Sequence, residues 1–98
     1  MTYVRIGHFK AKSEGIAELC RIYEQEAIPE IRASEGNVSA VLLRQHQEDD
    51  AFLAITLWRT RASAEAYDAS GAASRVVGKV RHLFYGPPTL TTYDAFGV

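Results

Sequence analysis

The sequence predicts an α+β fold: a four-stranded antiparallel sheet with helices on one face, in the order β-α-β-β-α-β. Three observations predict it. Four stretches have a period of two and are rich in β-branched and aromatic residues. Two stretches between them carry apolar residues at helical spacing. The middle two strands are joined by Gln47-Glu48-Asp49-Asp50, a charged connection of hairpin length.

The first strand runs from Tyr3 to Lys10. Val4, Ile6 and His8 point one way, and Tyr3, Arg5, Gly7 and Phe9 the other. Lys12 to Gly15 is a turn, with Ser13 a candidate helix cap. From Ile16 the period changes: Ile16, Leu19, Cys20, Tyr23 and Ala27 form one stripe. Pro29 cannot donate to a helical ladder. The long helix is therefore expected to end around Glu26 to Ile28, with a short helical turn from Pro29 to Ser34 and Gly36 as the stop. Val38 to His46 and Ala51 to Arg59 are the second and third strands. Phe52, Ala54, Thr56 and Trp58 share one face of the third, and Leu53, Ile55 and Leu57 the other. Thr60 caps a helix over Ala62 to Ser70. A second helical stretch is expected from Ala72 to Phe84, ended by Gly86-Pro87-Pro88. Thr89 to Phe96 is the fourth strand.

This order is the split-βαβ, ferredoxin-like arrangement. Such a sheet leaves one face in water, yet the first three strands carry large side chains on both faces. A second copy of the chain is the simplest cover, because most soluble oligomers are symmetric homo-oligomers. At 98 residues a single domain over residues 1–98 is expected, burying about 60–68% of its unfolded surface. The net charge of −1 and the absence of a basic run argue against nucleic acid as a partner. No apolar run reaches the roughly 18–20 residues of a membrane span. The N-terminus lacks the pattern of a secretory signal. The lone Cys20 makes no intrachain disulfide, so a reducing cytoplasm is the expected compartment.

The segment Ile55-Thr56-Leu57-Trp58-Arg59-Thr60, followed by Ser63-Ala64-Glu65-Ala66-Tyr67-Asp68-Ala69-Ser70, resembles the strand-turn-helix signature of the antibiotic biosynthesis monooxygenase domain family. The start of the first helix, Pro29, Gly36 and Gly86-Pro87-Pro88 are similar to that family too, so the likeness spans nearly the whole chain. The resemblance implies a dimeric α/β barrel and a cofactor-independent oxygenase whose electron-rich substrate supplies electrons to oxygen itself. The protein then contributes binding, deprotonation and a dry pocket. Aligned on Trp58, the haem-degrading branch has its helix Trp at Tyr67, its iron-ligating His near Val77 and its first-strand Asn at Gly7 or His8. None of the three is present here. The polyketide anthrone oxygenases have Asn, Trp, Tyr and Arg at Ala54, Trp58, near Ala64 and near Gly78, and only Trp58 is kept.

The expected site is a small, mostly apolar pocket between sheet and helices that takes a small aromatic quinol, phenol or polyketide. Trp58 would wall a flat ring, and Tyr67 would bind a substrate oxygen or assist proton transfer. Phe52 and Thr56, on the face of Trp58, would line the pocket. His8, whose imidazole suits proton transfer near neutral pH, would be the base. The plain alternatives are core packing for Trp58 and Phe52, a buried ring with a surface hydroxyl for Tyr67, and a strand-end histidine near solvent for His8. His46 and His82 are a loop neighbour and a helix-end cation. Arg5 and Arg44, unusual within strands, suit edge solvation or a salt bridge between copies better than ligand binding. Cys20 sits in the apolar stripe as a structural thiol. No cluster has metal-ligand spacing, so no metal or cofactor is expected. The rival reading is a non-catalytic dimer that binds a small ligand on the same scaffold.

Overall fold

The computed structural model describes residues 1–98. Its strands are β1 (Thr2–Ala11), β2 (Asn37–Arg44), β3 (Ala51–Trp58) and β4 (Phe84–Ala95). Its helices are α1 (Ile16–Ile22), α2 (Ile28–Arg32), α3 (Arg61–Ala69) and α4 (Ala72–Val80). The strands form one antiparallel sheet in the order β2-β3-β1-β4. This is the ferredoxin-like topology that the element order predicts.

The register decides which residues share a face. Tyr3 pairs with Trp58, Arg5 with Thr56, Gly7 with Ala54 and Phe9 with Phe52. This set faces the helices: Phe9 stacks on Tyr23, with ring centroids 6.0 Å apart, and Trp58 lies against Tyr67 of α3. An aromatic cluster of Phe9, Phe52, Tyr23 and Phe84 closes one end of the core. Leu19, Ala27, Val80 and Ala64 fill the layer from the helices, all fully buried. The other face holds Val4, Ile6 and His8 with Leu57, Ile55 and Leu53, flanked by Ser39, Val41 and Leu43. No helix covers it, and Val41 and Leu43 are exposed.

The first helix departs from expectation at Pro29. The chain does not stop there. Tyr23–Ala27 forms a π-helical turn, in which the Ile28 N–H donates to the Tyr23 carbonyl, five residues back. A proline has no N–H to extend the ladder, and the wider turn precedes it. The helix runs on through Pro29 to Arg32, burying Ile22 and Ile31 beside the expected stripe. Gly36, at φ +81°, shapes the turn into β2 instead of ending the helix, and a side chain there would collide with Ser63. Ser13 makes no capping bond, whereas Thr60 does: the Ser63 N–H donates to its Oγ1 at 3.1 Å.

The last strand is longer than its sequence pattern suggests. α4 ends at Val80, a 3-10 turn follows over Arg81–Leu83, and β4 begins at Phe84. Gly86-Pro87-Pro88 therefore lies inside the strand. His8 pairs with Thr89 and Lys10 with Tyr85, so β4 carries three residues where β1 has one. That bulge, with Gly86 at φ +79°, accommodates two prolines that cannot donate to a ladder. β4 is also an edge strand, and Tyr85–Asp94 are exposed.

Candidate functional site

Between sheet and helices the structure groups four of the five residues expected at the site. Trp58 is 1% exposed and sits at the end of β3. Its Nε1–H donates to Thr56 Oγ1 at 3.0 Å, so the indole donor is already used. The Tyr67 ring lies 5.1 Å from Trp58, tilted by 39°. Phe52, also buried, stacks on Phe9 at the far end of the strand. Between Phe52 and Trp58 the strand narrows to Ala54 and Thr56, which keep partial exposure. Gly7 pairs with Ala54, and a Cβ built on Gly7 would meet only Ala54, at 3.8 Å. No helix atom lies within 4 Å of that point. Small residues thus occupy the middle of the sheet on its helix side. They adjoin a half-open cleft of about 210 Å³ lined by Cys20, Tyr23, Leu42 and Phe52, among others. Leu42 joins the two, because it pairs with Ala54.

Arg5 stands over the same face and makes a two-pronged pair with Asp68 of α3, at 2.7 and 2.8 Å. Its guanidinium also lies 5.8 Å from the Tyr3 ring centre. The bond to Asp68 outweighs desolvation and holds the Arg5 charge more firmly than usual. The sequence reading of a solvated edge or an inter-copy bridge is therefore corrected. Partners 63 residues apart leave no local sequence signal.

Burial, followed by the charges of Glu30 and Asp68, pushes the Tyr67 phenol up to about 12. Burial, followed by Tyr67, does the same to Tyr23. Tyr67 is thus a hydrogen-bond donor at neutral pH, not a base. The shifts also make the stability of the fold depend on pH at its alkaline end. Below pH 10 both phenols are protonated in folded and unfolded chains alike. From pH 10 to about 12 the unfolded chain releases protons that the folded chain keeps, so stability falls as pH rises. Denaturant melts across that window should show the fall, and Tyr23→Phe should reduce it. Stability that is level across the window would contradict the burial of these hydroxyls.

His8 does not join this group. It follows Val4 and Ile6 onto the uncovered face, on the far side of the sheet from Trp58 and Tyr67. Its Nε2 meets Thr91 Oγ1 at 3.2 Å. Of the first-strand pair left open by the sequence, Gly7 faces the helices. A concavity of about 680 Å³ lies beside His8 at the end of the uncovered face. No group of His, Cys, Asp and Glu is arranged to hold a metal ion. No helix is long and apolar enough to cross a membrane.

The sequence profile described as "Antibiotic biosynthesis monooxygenase" matches residues 2–79. The chain belongs to the antibiotic biosynthesis monooxygenase family. Solved structures share its fold at low identity. A candidate antibiotic biosynthesis monooxygenase from Nitrosomonas europaea is 18% identical, with a TM-score of 0.85 over 98% of this chain and 91% of that one. SnoaB, a cofactor-independent oxygenase from Streptomyces nogalater, is 16% identical, with a TM-score of 0.84 over 99% and 95%. A candidate family member from Deinococcus radiodurans is 16% identical, with a TM-score of 0.84 over 98% and 94%. Among curated proteins none matches the sequence.

Set against the antibiotic biosynthesis monooxygenase family, the small residues gain meaning. The position that the sequence resemblance gives to the anthrone-oxygenase Asn is Ala54, which pairs with Gly7 on the helix side of the sheet. The position near which its Arg falls, Gly78, is exposed on α4 with nothing within 4 Å. Sequence reasoning missed Gly7 and Ala54 as a floor. The available signal was two small residues in the middle of otherwise bulky strands.

Proposed function

We propose that this chain is a cofactor-independent monooxygenase for a flat, electron-rich phenol or quinol, held between sheet and helices. The observation that carries the reading is the pair of small residues Gly7 and Ala54 on the helix side of the sheet, on the face of Trp58 and Tyr67 and adjoining the cleft of about 210 Å³. Family membership supports the reaction class. A phenol with an open ring carbon supplies all four electrons to dioxygen. One oxygen atom becomes the second carbonyl of the quinone, and the other leaves as water with the phenolic and ring hydrogens. The Tyr67 hydroxyl donates to the substrate oxygen, and the apolar walls exclude water. His8 is turned away, Tyr67 stays protonated and Asp68 is tied to Arg5. The substrate therefore enters as the phenolate, its proton already lost to solvent, and the pH–rate profile should follow the pKa of each phenol used.

The test is oxygen uptake by the purified protein with chelator, over a panel of quinols, hydroxyanthrones and flavonoid-like phenols, corrected for autoxidation. Uptake proportional to protein, with a pH midpoint that moves from phenol to phenol, is the expected result. A fixed midpoint would point to an enzyme base and reject this proton path. Two findings favour a second reading, a non-catalytic ligand-binding domain: His8 and Tyr67 do not converge, and Trp58 is fully packed. Tight phenol binding without any uptake would establish it.

Either reading includes a homodimer, with a second copy on the rows Ser39–Leu57–Val4 and Val41–Ile55–Ile6 of the uncovered face. Ile55→Asp, at the centre of that face, should sediment as a monomer where the parent chain sediments as a dimer. A monomeric parent would reject this part.

A further inference from the structure

We propose that Arg5 and Thr56 form a seat for the anionic oxygen of an ionised phenol, so that the layer between sheet and helices takes its ligand as the phenolate. This rests on the proposed site and deepens it by naming the residues that receive the charge. Arg5 of β1 and Thr56 of β3 are direct cross-strand partners, beside the pair Gly7 and Ala54. The Arg5 side chain rises from the sheet and ends at α3, where Nη1 and Nη2 grip the two oxygens of Asp68 at 2.8 and 2.7 Å. Nε precedes both Nη atoms along the side chain, so its N–H lies within the layer. It is buried and has no partner.

A donor on a charged group is costly to leave unmatched, and such atoms are few in folded proteins. An acceptor brought by a ligand satisfies it. The Thr56 hydroxyl stands beside it. That oxygen accepts the Trp58 indole N–H at 3.0 Å and keeps its own proton to donate. Thr56 is partly exposed, whereas the Arg5 side chain is 15% exposed. The ligand oxygen therefore arrives across Thr56, and a turn of the Arg5 stem about its Asp68 anchor brings the Nε–H onto it. Charge selects the form of the ligand. An anion in a water-poor layer needs a hydrogen-bonded cation, and other cations near this layer are committed. Arg32 donates to the Ala40 carbonyl, Arg44 to the Asp49 carbonyl, and Arg75 and Lys79 of α4 meet Glu30. Asp68 holds the Arg5 guanidinium by its far edge and leaves Nε for the ligand.

The probe is para-nitrophenol in mildly alkaline buffer, where it is the phenolate. Its control is para-nitrotoluene, of similar shape and without charge. Equilibrium dialysis against the full chain reads both. Both should bind, and Gly7→Val should weaken both alike. Arg5→Met should weaken the phenolate by about tenfold or more, the value of a hydrogen bond to a charged group, and leave nitrotoluene bound as before. Asp68→Asn, which keeps Arg5 and removes the acid that competes for it, should tighten the phenolate by about threefold. A purely structural clamp would weaken both probes in both variants, so the opposite signs separate the two roles. Unchanged nitrotoluene binding also reports that each variant is folded. If neither probe binds, or if binding ignores Gly7→Val, the site between sheet and helices fails and this seat with it. If both bind there, the seat alone is overturned by Arg5→Met that spares the phenolate or shifts both probes alike, or by Asp68→Asn that weakens the phenolate.

Discussion

Trp58→Ala is expected to cost about 3–5 kcal/mol, the range for deleting a large buried aromatic side chain. Trp58 is among the largest fully buried side chains in the core. Its loss removes the contact with Tyr67, the hydrogen bond to Thr56 and the packing at the end of β3. A domain of this size holds only about 5–15 kcal/mol in total, so the variant should sit near its unfolding threshold. Urea melts should show a lower midpoint with an unchanged slope. A loss below about 1 kcal/mol would mean that the indole is not packed as described. Activity lost in this variant says little about chemistry, because the fold is weakened with it.

Gly7→Val separates the two. Its Cβ would make ordinary contact with Ala54 at 3.8 Å and meet nothing else within 4 Å, and its backbone does not need glycine. A β-branched residue within a strand restores about 0.5–1 kcal/mol that glycine forfeits. The melting midpoint should therefore hold or rise. Turnover should fall by at least about tenfold, about 1.4 kcal/mol in the barrier, because the isopropyl group occupies the floor proposed for the aromatic substrate. Full turnover in a stable Gly7→Val protein would remove the substrate from this layer. Oxygen uptake and a thermal melt on the same sample decide it.

Much of the fold was legible in the sequence because its signals are local. The period of two placed Phe52, Ala54, Thr56 and Trp58 on one face, and the structure keeps them there. Thr60 read as a cap because its spacing to Ser63 is fixed by helix geometry. What could not be read depends on tertiary context. Both faces of β1 carry large side chains, so periodicity separates His8 from Gly7 without saying which set meets the helices. The π-helical turn was missed because Pro29 signals an end, and only the packing of Ile31 shows that the helix goes on. Gly86-Pro87-Pro88 read as a break because prolines rarely sit in strands. At a bulged edge the missing N–H groups cost nothing. The candidate site was half legible for the same reason: aromatic residues announce themselves, while Gly7 and Ala54 are marked only by what they lack.

The position of β4 also bears on self-assembly. Its outer edge offers unpaired backbone donors and acceptors to any strand that meets it, the usual seed of sheet-to-sheet growth. Pro87 and Pro88 withhold two donors at one end, and the bulge twists that end out of line. The run Thr89–Ala95 has no such guard except Asp94. Stocks of this protein should therefore aggregate first along that run, and a lysine placed at Thr92 should raise their working concentration without touching the core.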